Sequence, residues 1–479
     1  MSVQEYLDKH LLSRKIEDAV NAAVRAKAPD PILFIANHMK KAVSPVITKI
    51  KARQILDSQG IPTIEVDLFT NKGSYLASVP SAYVSPSAPM AIHDAIELRD
   101  SDNAKYFGNG VSKAVSIIND KISEALVGMD PQQQSQIDQA MIDLDKTDNK
   151  SVLGANAMLA VSIAACKAGA AEKEVPLYKH ISDLSGKSST VLPVPMITVI
   201  SGRKHGGDNL AVQEIMVMPL GATNFAEAMQ MAVETYHHLK AVITEKLGPT
   251  ECNVGDDGGL APDISSITDG LDLVIEAIDR AGYNGRIKLA LNVAATDFCV
   301  GKKYDMDFKS PNKSGQNFKT GEELIEMYTK LCTDYPIISI AQPFDKDDWE
   351  NSKVFTALEH CQVVGDDMLM SNSKRVERAI KDFTCNALLL KVNQVGTVTE
   401  AIEVVKQAKD ANWGVVVSNR SGETDDSFIS DLAVGIGTGQ IKAGAPSRGE
   451  RISKYNQLLR IEEELGSGAV YAGQNWRSP

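Results

Sequence analysis

Several short apolar runs in the second half of the chain end in polar side chains that could do chemistry. These terminal residues are Asn292, Asp366, Lys391, Asn419 and Lys442. Carboxylates and amide oxygens are potential cation ligands, and a lysine is a potential proton carrier or partner of an anion. Two run ends lack the charge expected of them, because Asn292 carries a neutral amide and Ala341 a methyl group.

The runs themselves are typical of buried parallel strands. They are rich in Ile, Leu and Val and are separated by helical patterns such as residues 398–409. Strands that alternate with helices in this way predict a (β/α) barrel. In such a barrel the reactive side chains project from the carboxyl ends of the strands, so we expect the run ends to face one shared site.

The size and composition of the chain restrict its class. Its 479 residues, 43% of them hydrophobic, are enough for two or three domains. A net charge of −12 argues against binding to nucleic acid or to an anionic membrane, although a local basic site could hold a phosphate. No stretch approaches the ~20 apolar residues of a membrane span, and the charged start lacks a signal-peptide core. We therefore expect a cytoplasmic protein whose six scattered cysteines are reduced packing residues.

Three units are expected along the chain. Residues 1–42 form a short helical module, residues 50–187 an α+β domain with a small antiparallel sheet, and residues 188–465 the barrel. Two helices as short as those of the first unit cannot bury a core alone.

The first unit carries a local resemblance. Ile16, Val20 and Val24 lie on one helical face, and Asp30 with Pro31 marks the start of a second helix. The phrase Asp-Pro-Ile-Leu-Phe-Ile-Ala-Asn at 30–37 resembles the dimerisation and docking helices of the DPY-30 and protein kinase A regulatory-subunit type. The resemblance implies a homodimeric four-helix bundle that could receive an amphipathic helix from a partner. The alternative is that the helices pack only on the main body.

Phrases spread over the rest of the chain carry a second resemblance. They include Asp-Ser-Gln-Gly-Ile-Pro-Thr at 57–63, Leu-Gly-Ala-Asn-Ala at 153–157, Gly-Asp-Asp-Gly-Gly at 255–259, Leu-Leu-Leu-Lys-Val-Asn-Gln at 388–394 and Ser-Gly-Glu-Thr at 421–424. With these phrases in order, the chain resembles the enolases and is similar to the N-terminally extended enolase-like proteins of plants and animals. The resemblance implies an α/β enolase fold, an N-terminal α+β cap followed by a (β/α)₈ TIM-like barrel. It also implies Mg²⁺-dependent dehydration of 2-phosphoglycerate, a small phosphorylated acid, to phosphoenolpyruvate in glycolysis.

The enolase resemblance assigns roles to matching residues. Lys391 matches the base, and a lysine base with Mg²⁺ stabilising the enediolate is the established pattern of the enolase superfamily. Glu214 matches a residue that supports acid–base chemistry near the leaving hydroxyl, and Asp366 matches a metal ligand. The substrate-binding matches are His205, Gln213, Arg420, Ser421 and Lys442. Among these, Arg420 and Ser421 match the phosphate-binding pair, and Lys442 matches the partner of the substrate carboxylate.

Departures from the family pattern lie where the metal and the acid are expected. Of three carboxylate ligands of the first Mg²⁺, two are replaced by Asn292 and Ala341, which predicts weakened Mg²⁺ binding. The acid is Asp257, one methylene shorter than a glutamate, and a displacement near ~1 Å costs ~100-fold in rate.

Two further departures affect the surroundings of the substrate. Asn419 replaces a histidine that precedes the phosphate-binding pair. The loop that supplies a serine to the second Mg²⁺ is lengthened, with Ser85 or Ser87 as the possible substitute.

Three functional hypotheses follow from these matches and departures. The first is a functional glycolytic enolase, that is, a phosphopyruvate hydratase of the carbon–oxygen lyase class. The second is an enolase-derived pseudoenzyme that has lost most turnover and acts in binding or as a scaffold through residues 1–42. The third is altered metal-assisted chemistry in the same barrel, but no new carboxylate rebuilds the ligand set. Because of the lost ligands we predict the second, with the functional enolase as the alternative.

Overall fold

The computed structural model describes residues 2–81, 95–187, 189–202, 210–264, 266–307 and 317–479. Three helices come first, namely α1 (Val3–Lys9), α2 (Leu12–Ala26) and α3 (Pro31–Lys41). Ser2 and Glu5 form a capping box that starts α1. The Asp30 side chain accepts a hydrogen bond from the Leu33 amide at 2.9 Å, and this contact starts α3 where the sequence predicts it.

The hairpin of α2 and α3 buries little apolar surface of its own. Within residues 2–42, only Ala19 and Ala23 are buried. Ile16, Val20 and Val24 remain 45%, 42% and 69% exposed along one face of α2. This face is therefore an apolar stripe that the described residues leave largely uncovered.

The next unit is an α+β domain, as predicted. Its antiparallel sheet has the order β1 (Ile47–Leu56), β2 (Pro62–Thr70) and β3 (Ser74–Ser78). Its helices are α4 (Ser112–Ile117), α5 (Ser123–Leu126), α6 (Gln134–Asp145), α7 (Ala155–Glu172) and α8 (Leu177–Ser185). Because α7 is rich in alanine, it packs closely on β2 and β3 and is buried along most of its length.

The third unit alternates strands and helices. Its elements in chain order are β4 (Val194–Ser201), β5 (Glu214–Met218), α9 (Phe225–Leu247), α10 (Ile267–Arg280), β6 (Lys288–Asn292), β7 (Cys299–Val300), β8 (Lys303–Asp305), β9 (Phe318–Lys319), α11 (Gly321–Asp334), β10 (Ile337–Ala341), α12 (Trp349–Ala357), β11 (Gln362–Gly365), α13 (Ser373–Asp382), β12 (Ala387–Leu390), α14 (Val392–Val395), α15 (Val398–Asp410), β13 (Gly414–Ser418), α16 (Phe428–Ile436), β14 (Gly439–Gly444) and α17 (Gly449–Leu465). Eight of the strands close into a barrel in the order β10-β11-β12-β13-β14-β4-β5-β6, which confirms the predicted fold class.

One barrel strand runs against the others. β5 pairs antiparallel with both β4 and β6, so the expectation of uniformly parallel strands is wrong at this position. The short connection 202–213 joins neighbouring strands, and short connections favour antiparallel pairing. As a result Glu214, the first residue of β5, lies opposite Ser201 and Asn292, the last residues of its neighbours.

The barrel interior is polar at the carboxyl ends of the parallel strands and apolar farther inside the barrel. Met216, Ala290, Ala341 and Leu389 belong to one buried cluster, into which Trp476 packs from the segment after α17. This cluster forms a dry floor beneath the polar run ends. In the part of the chain that the structure describes, no helix has the length and apolar character needed to cross a membrane.

Candidate active site

The polar run ends and the first residue of β5 converge on one cavity of about 110 Å³. The described residues that line it are Gln213, Glu214, Asp257, Asn292, Asp366, Lys391, Ser418, Asn419, Arg420, Ser421, Lys442 and Arg451. Side chains from distant parts of the sequence therefore meet in one place, while their roles stay predictions. His205, Ser85 and Ser87 lie outside the described residues.

Lys391 and Asp366 form a buried ion pair at the end of β12. The Lys391 Nζ lies 2.5 Å from Asp366 Oδ1, and the two side chains are 14% and 6% exposed. The Lys391 amide donates a hydrogen bond to Ser371 Oγ at 3.0 Å, which fixes the backbone where the strand ends. A buried pair of this kind depends on each charge compensating the other. A cation that bound Asp366 would therefore compete with the lysine.

Glu214 is the centre of a second buried group of charges. Lys442 Nζ lies 2.6 Å from Glu214 Oε2, and Asn292 Nδ2 donates a hydrogen bond to the same oxygen at 2.9 Å. Burial alone would raise the pKa of Glu214, but the charge of Lys442 and hydrogen bonds from Asp257, Lys442 and Asn292 hold that pKa well below its usual range. Glu214 is therefore ionised at neutral pH. Asp257 lines the same cavity beside this group of charges.

The backbone around Asp257 is held in a tight loop. Gly258 has a φ of +89°, and a Cβ at this position would meet the Ser447 carbonyl oxygen at 2.8 Å. The Tyr236 hydroxyl donates a hydrogen bond to the Gly258 carbonyl at 2.9 Å, and the Ala445 amide donates one to the Asp257 carbonyl at 2.9 Å. The Asp257 side chain is thus presented from a fixed backbone.

Arg451 supports this loop and the anion-binding segment together. Its guanidinium is fully buried and donates hydrogen bonds to the carbonyls of Asp256 at 3.1 Å and Ser421 at 2.6 Å, as well as to that of Arg420. Sequence analysis missed Arg451 because no apolar run precedes it. Its spacing with Tyr455 on the buried face of α17 is the signal that could have identified it.

Comparison with known proteins identifies the family. The model described as Enolase, N-terminal domain, matches residues 47–181, and the model described as Enolase, C-terminal TIM barrel domain, matches residues 189–479. This chain belongs to the enolase family. It is 71% identical over 477 residues to "Cytosolic enolase 3" of Arabidopsis thaliana, an alignment that covers 100% of this chain and 99% of that protein. It is 54% identical over 443 residues to "Enolase" of Solanum lycopersicum, which covers 90% and 98% of the two chains.

These identities overturn the prediction of a pseudoenzyme with a binding or scaffold role. High identity over the full chain to proteins that carry the name enolase points to a functional glycolytic enolase, which was the alternative hypothesis. The physical error was to equate lost ligands with lost chemistry. Mg²⁺ usually keeps several waters and needs only one or two protein carboxylates when the substrate supplies further oxygens.

The enolase family implies Mg²⁺, and the residues present can be tested for their fit to it. Among the described residues, no group of three or more His, Cys, Asp or Glu could hold a metal ion. Asp366 supplies one carboxylate, and Asn292 Oδ1 is a buried amide oxygen that accepts no hydrogen bond. A buried oxygen without a partner calls for a cation or a water. Ala341 is 2% exposed in the apolar floor and offers no ligand. Asp366 and Asn292 therefore fit one Mg²⁺ that completes its shell from water and substrate.

Proposed function

We propose that this enolase catalyses the dehydration of 2-phosphoglycerate to phosphoenolpyruvate as a glycolytic step in the cytoplasm. The observation that carries the proposal is the cavity in which Lys391, the carboxyl group of Asp257 and the neighbours Arg420 and Ser421 meet. The full-length identity to "Cytosolic enolase 3" supports the same activity. Enolases are typically homodimers, and we propose this state for the chain as well.

Lys391 is the proposed base. Removal of the proton next to the substrate carboxylate creates a dianion, so the base has to lie among groups that compensate negative charge. Lys391 lies at the end of β12 inside the cavity, and its contact with Asp366 holds its Nζ in position. The Nζ has to give up the proton of this ion pair before it can accept the substrate proton. Lys442 lies across the same cavity and is the proposed partner of the substrate carboxylate.

Asp257 is the proposed acid for the leaving hydroxyl. Lys442 and Asn292 hold the pKa of the neighbouring Glu214 low, so we propose that the proton available in this part of the cavity is carried by Asp257. Two carboxyl groups whose environments favour opposite protonation states are the usual arrangement for such a transfer. The contribution of a positioned acid is about 10²- to 10⁴-fold in rate.

Arg420 and Ser421 are the proposed phosphate ligands. A guanidinium suits a phosphate because it donates parallel hydrogen bonds to two oxygens. The Arg451 guanidinium donates hydrogen bonds to the carbonyls of both residues, so their side chains are presented from a rigid segment. Gln213 lies beside Glu214 on the cavity wall and is proposed to contact the substrate, as is His205.

Asp366 and Asn292 are the residues that would hold Mg²⁺. When bound there, Mg²⁺ would neutralise the negative charge that develops on the substrate carboxylate. Because one protein carboxylate remains where the family has three, we propose that its affinity is weakened and that saturation requires more Mg²⁺.

The test is phosphoenolpyruvate formation from 2-phosphoglycerate by the purified full chain across a Mg²⁺ titration. We expect turnover by the wild type, with a half-saturating Mg²⁺ concentration at least about tenfold above that of an Asn292→Asp/Ala341→Glu double variant. An Asn475→Asp/Ala357→Glu variant adds the same charge at exposed positions and serves as the control.

Two outcomes of this titration would contradict the proposal. If folded wild-type protein forms no phosphoenolpyruvate at any Mg²⁺ concentration, the proposed reaction is wrong. If the wild type turns over but half-saturates at the same concentration as the double variant, only the proposed weakening of Mg²⁺ binding is wrong.

A second function is proposed for the N-terminal unit, residues 1–42. The other two proposed units of the chain are residues 50–187 and 188–465. The stripe formed by Ile16, Val20 and Val24 is exposed, whereas only two alanines of the hairpin are buried. A second copy of the same hairpin would cover the stripe, since an apolar face related to itself by a two-fold axis is complementary to itself. The four helices would then form a bundle that could dock an amphipathic helix of a partner.

Cross-linking of the full chain tests this pairing. A bis-maleimide should link two copies through a Val20→Cys variant and not through an Asp18→Cys variant, whose exposed side chain lies on the opposite side of α2 from the stripe. Wild-type protein measures the background from the native cysteines. Equal linking by the two variants would contradict pairing through the stripe, and a link to a different protein from a lysate would favour a docking partner instead.

A further inference from the structure

Ser201, which sequence analysis did not single out, contacts the proposed acid. It is the last residue of β4, lies opposite Glu214 in the strand register and is 0% exposed. Its hydroxyl donates a short hydrogen bond to Asp257 Oδ1. The Ser201 amide donates to the Leu260 carbonyl at 2.9 Å, so the strand and the loop of the acid are also joined through their backbones.

Gly259 provides the space for this contact. A Cβ at position 259 would lie 2.3 Å from Ser201 Oγ and 2.9 Å from the Ser201 amide nitrogen, closer than atoms can approach. The Gly259 amide donates a second hydrogen bond to Asp257 Oδ1 at 3.2 Å. One oxygen of the acid is therefore held by two donors, one from β4 and one from the loop.

We propose that Ser201 is a positioning residue that compensates for the short side chain of Asp257. The proposal rests on the proposed function. Ser201 and Gly259 both donate to Oδ1, and two donors on one oxygen fix the rotation of the Asp257 carboxyl group in the cavity wall. The carboxyl group is thereby held in one direction, which an unsupported aspartate one methylene shorter than a glutamate would not be.

The test is a double-mutant cycle of Ser201→Ala and Asp257→Asn. Ser201→Ala is expected to lower kcat by about 10- to 100-fold with little change in KM, because the acid is misplaced while the anion ligands are unchanged. In the Asp257→Asn background the same change should have no further effect, since no acid remains to be positioned. Ser339→Ala, which removes another fully buried serine hydroxyl from a barrel strand, is the control and should leave kcat unchanged.

Crystal structures of the wild type and Ser201→Ala provide a readout that does not depend on turnover. The Asp257 carboxyl group should rotate away from its wild-type orientation in the variant. An unmoved carboxyl group, an unchanged kcat, or an equal loss of kcat in both backgrounds would overturn the proposal. If the wild type itself forms no product, the proposed function fails, and the orientation of Asp257 in the two crystal structures still decides whether Ser201 positions it.

Discussion

The two halves of the candidate active site differ in how their charges are balanced. The acid half, formed by Glu214, Asp257 and Lys442, contains two carboxyl groups and one ammonium, and Lys442 pairs with Glu214. The metal half, formed by Asp366, Lys391 and Ala341, contains a single ion pair above an apolar methyl group. The acid half therefore has more carboxyl groups than the single lysine can pair, whereas the metal half has one carboxylate that a lysine and a bound cation would share.

Asn292 lies between the two halves, and its amide group allows both charge arrangements to coexist. Its Nδ2 donates to Glu214, and its Oδ1 has no hydrogen-bond partner. A carboxylate at this position would lie against Glu214 across the paired strands and would need a cation to offset the repulsion. The amide donates a hydrogen bond to Glu214 instead and avoids this repulsion. The following variants test this difference between the two halves, beginning with the variant that has the largest expected effect.

Lys391→Met should have the largest effect, because it removes the proposed base and leaves Asp366 buried without its partner. We expect kcat to fall by more than about 10³-fold and the free energy of unfolding by about 3 kcal/mol. Steady-state kinetics and urea denaturation measure the two losses. Lys353→Met, at an exposed position of α12, is the control. Near-wild-type turnover by Lys391→Met would show that the base belongs to another residue.

Arg451→Lys should have the second-largest effect. This effect should concern the proposed anion-binding segment, Arg420 and Ser421. Lysine cannot hold three carbonyls in the planar arrangement that a guanidinium provides. We expect KM for 2-phosphoglycerate to rise by about tenfold, with a smaller loss in kcat. Arg460→Lys, exposed on the same helix, is the control. A loss confined to kcat would instead assign Arg451 to the acid half alone.

The two halves also differ in how much of them could be predicted from the sequence. The run ends of the metal half, Asp366, Lys391 and Ala341, follow from strand periodicity and the rule that barrel sites lie at the carboxyl ends of strands. Glu214 lies at the start of a strand, so periodicity alone could not place it, and only the family resemblance identified it. Its position became understandable once β5 was found to be antiparallel.

The supporting contacts could not be predicted from the sequence. Ser201 and Gly259 meet because a loop and a strand far apart in sequence approach within hydrogen-bond distance of one carboxyl oxygen. Such contacts depend on side-chain direction and exact backbone spacing, which periodicity does not encode. The prediction of lost turnover from Asn292 and Ala341 failed for a related reason. A count of the protein's Mg²⁺ ligands ignores the oxygens that substrate and water supply.

Asn292→Asp should have a smaller effect, and it tests the role of the amide directly. Without Mg²⁺ the new carboxylate loses the hydrogen bond to Glu214 and repels it, so we expect the free energy of unfolding to fall by about 1–3 kcal/mol. Added Mg²⁺ should raise the melting temperature of the variant more than that of the wild type, because binding to the folded state stabilises it. Calorimetry with and without Mg²⁺ measures both. Equal responses of the two proteins to Mg²⁺ would mean that position 292 does not contact the metal.

The smallest effect is expected outside both halves, at His180 in α8 of the α+β domain. Its imidazole is 0% exposed, neither ring nitrogen has a hydrogen-bond partner, and burial lowers its pKa to about 4. Above pH ~6.5 the imidazole is neutral in both folded and unfolded chains and contributes no pH dependence. Between pH ~6.5 and 4 the unfolded chain takes up a proton that the folded chain does not, so stability falls with falling pH.

A His180→Leu variant isolates this contribution, since the substitution removes the buried imidazole and changes no residue of the candidate active site. The variant should lose less stability than the wild type on acidification, by about 1 kcal/mol at pH 5.5. Melting temperatures of the two proteins from pH 7.5 to 5 measure the difference. Parallel curves would place the acid sensitivity of the fold elsewhere, whereas a smaller loss of stability in the variant would assign part of that sensitivity to His180 in the α+β domain.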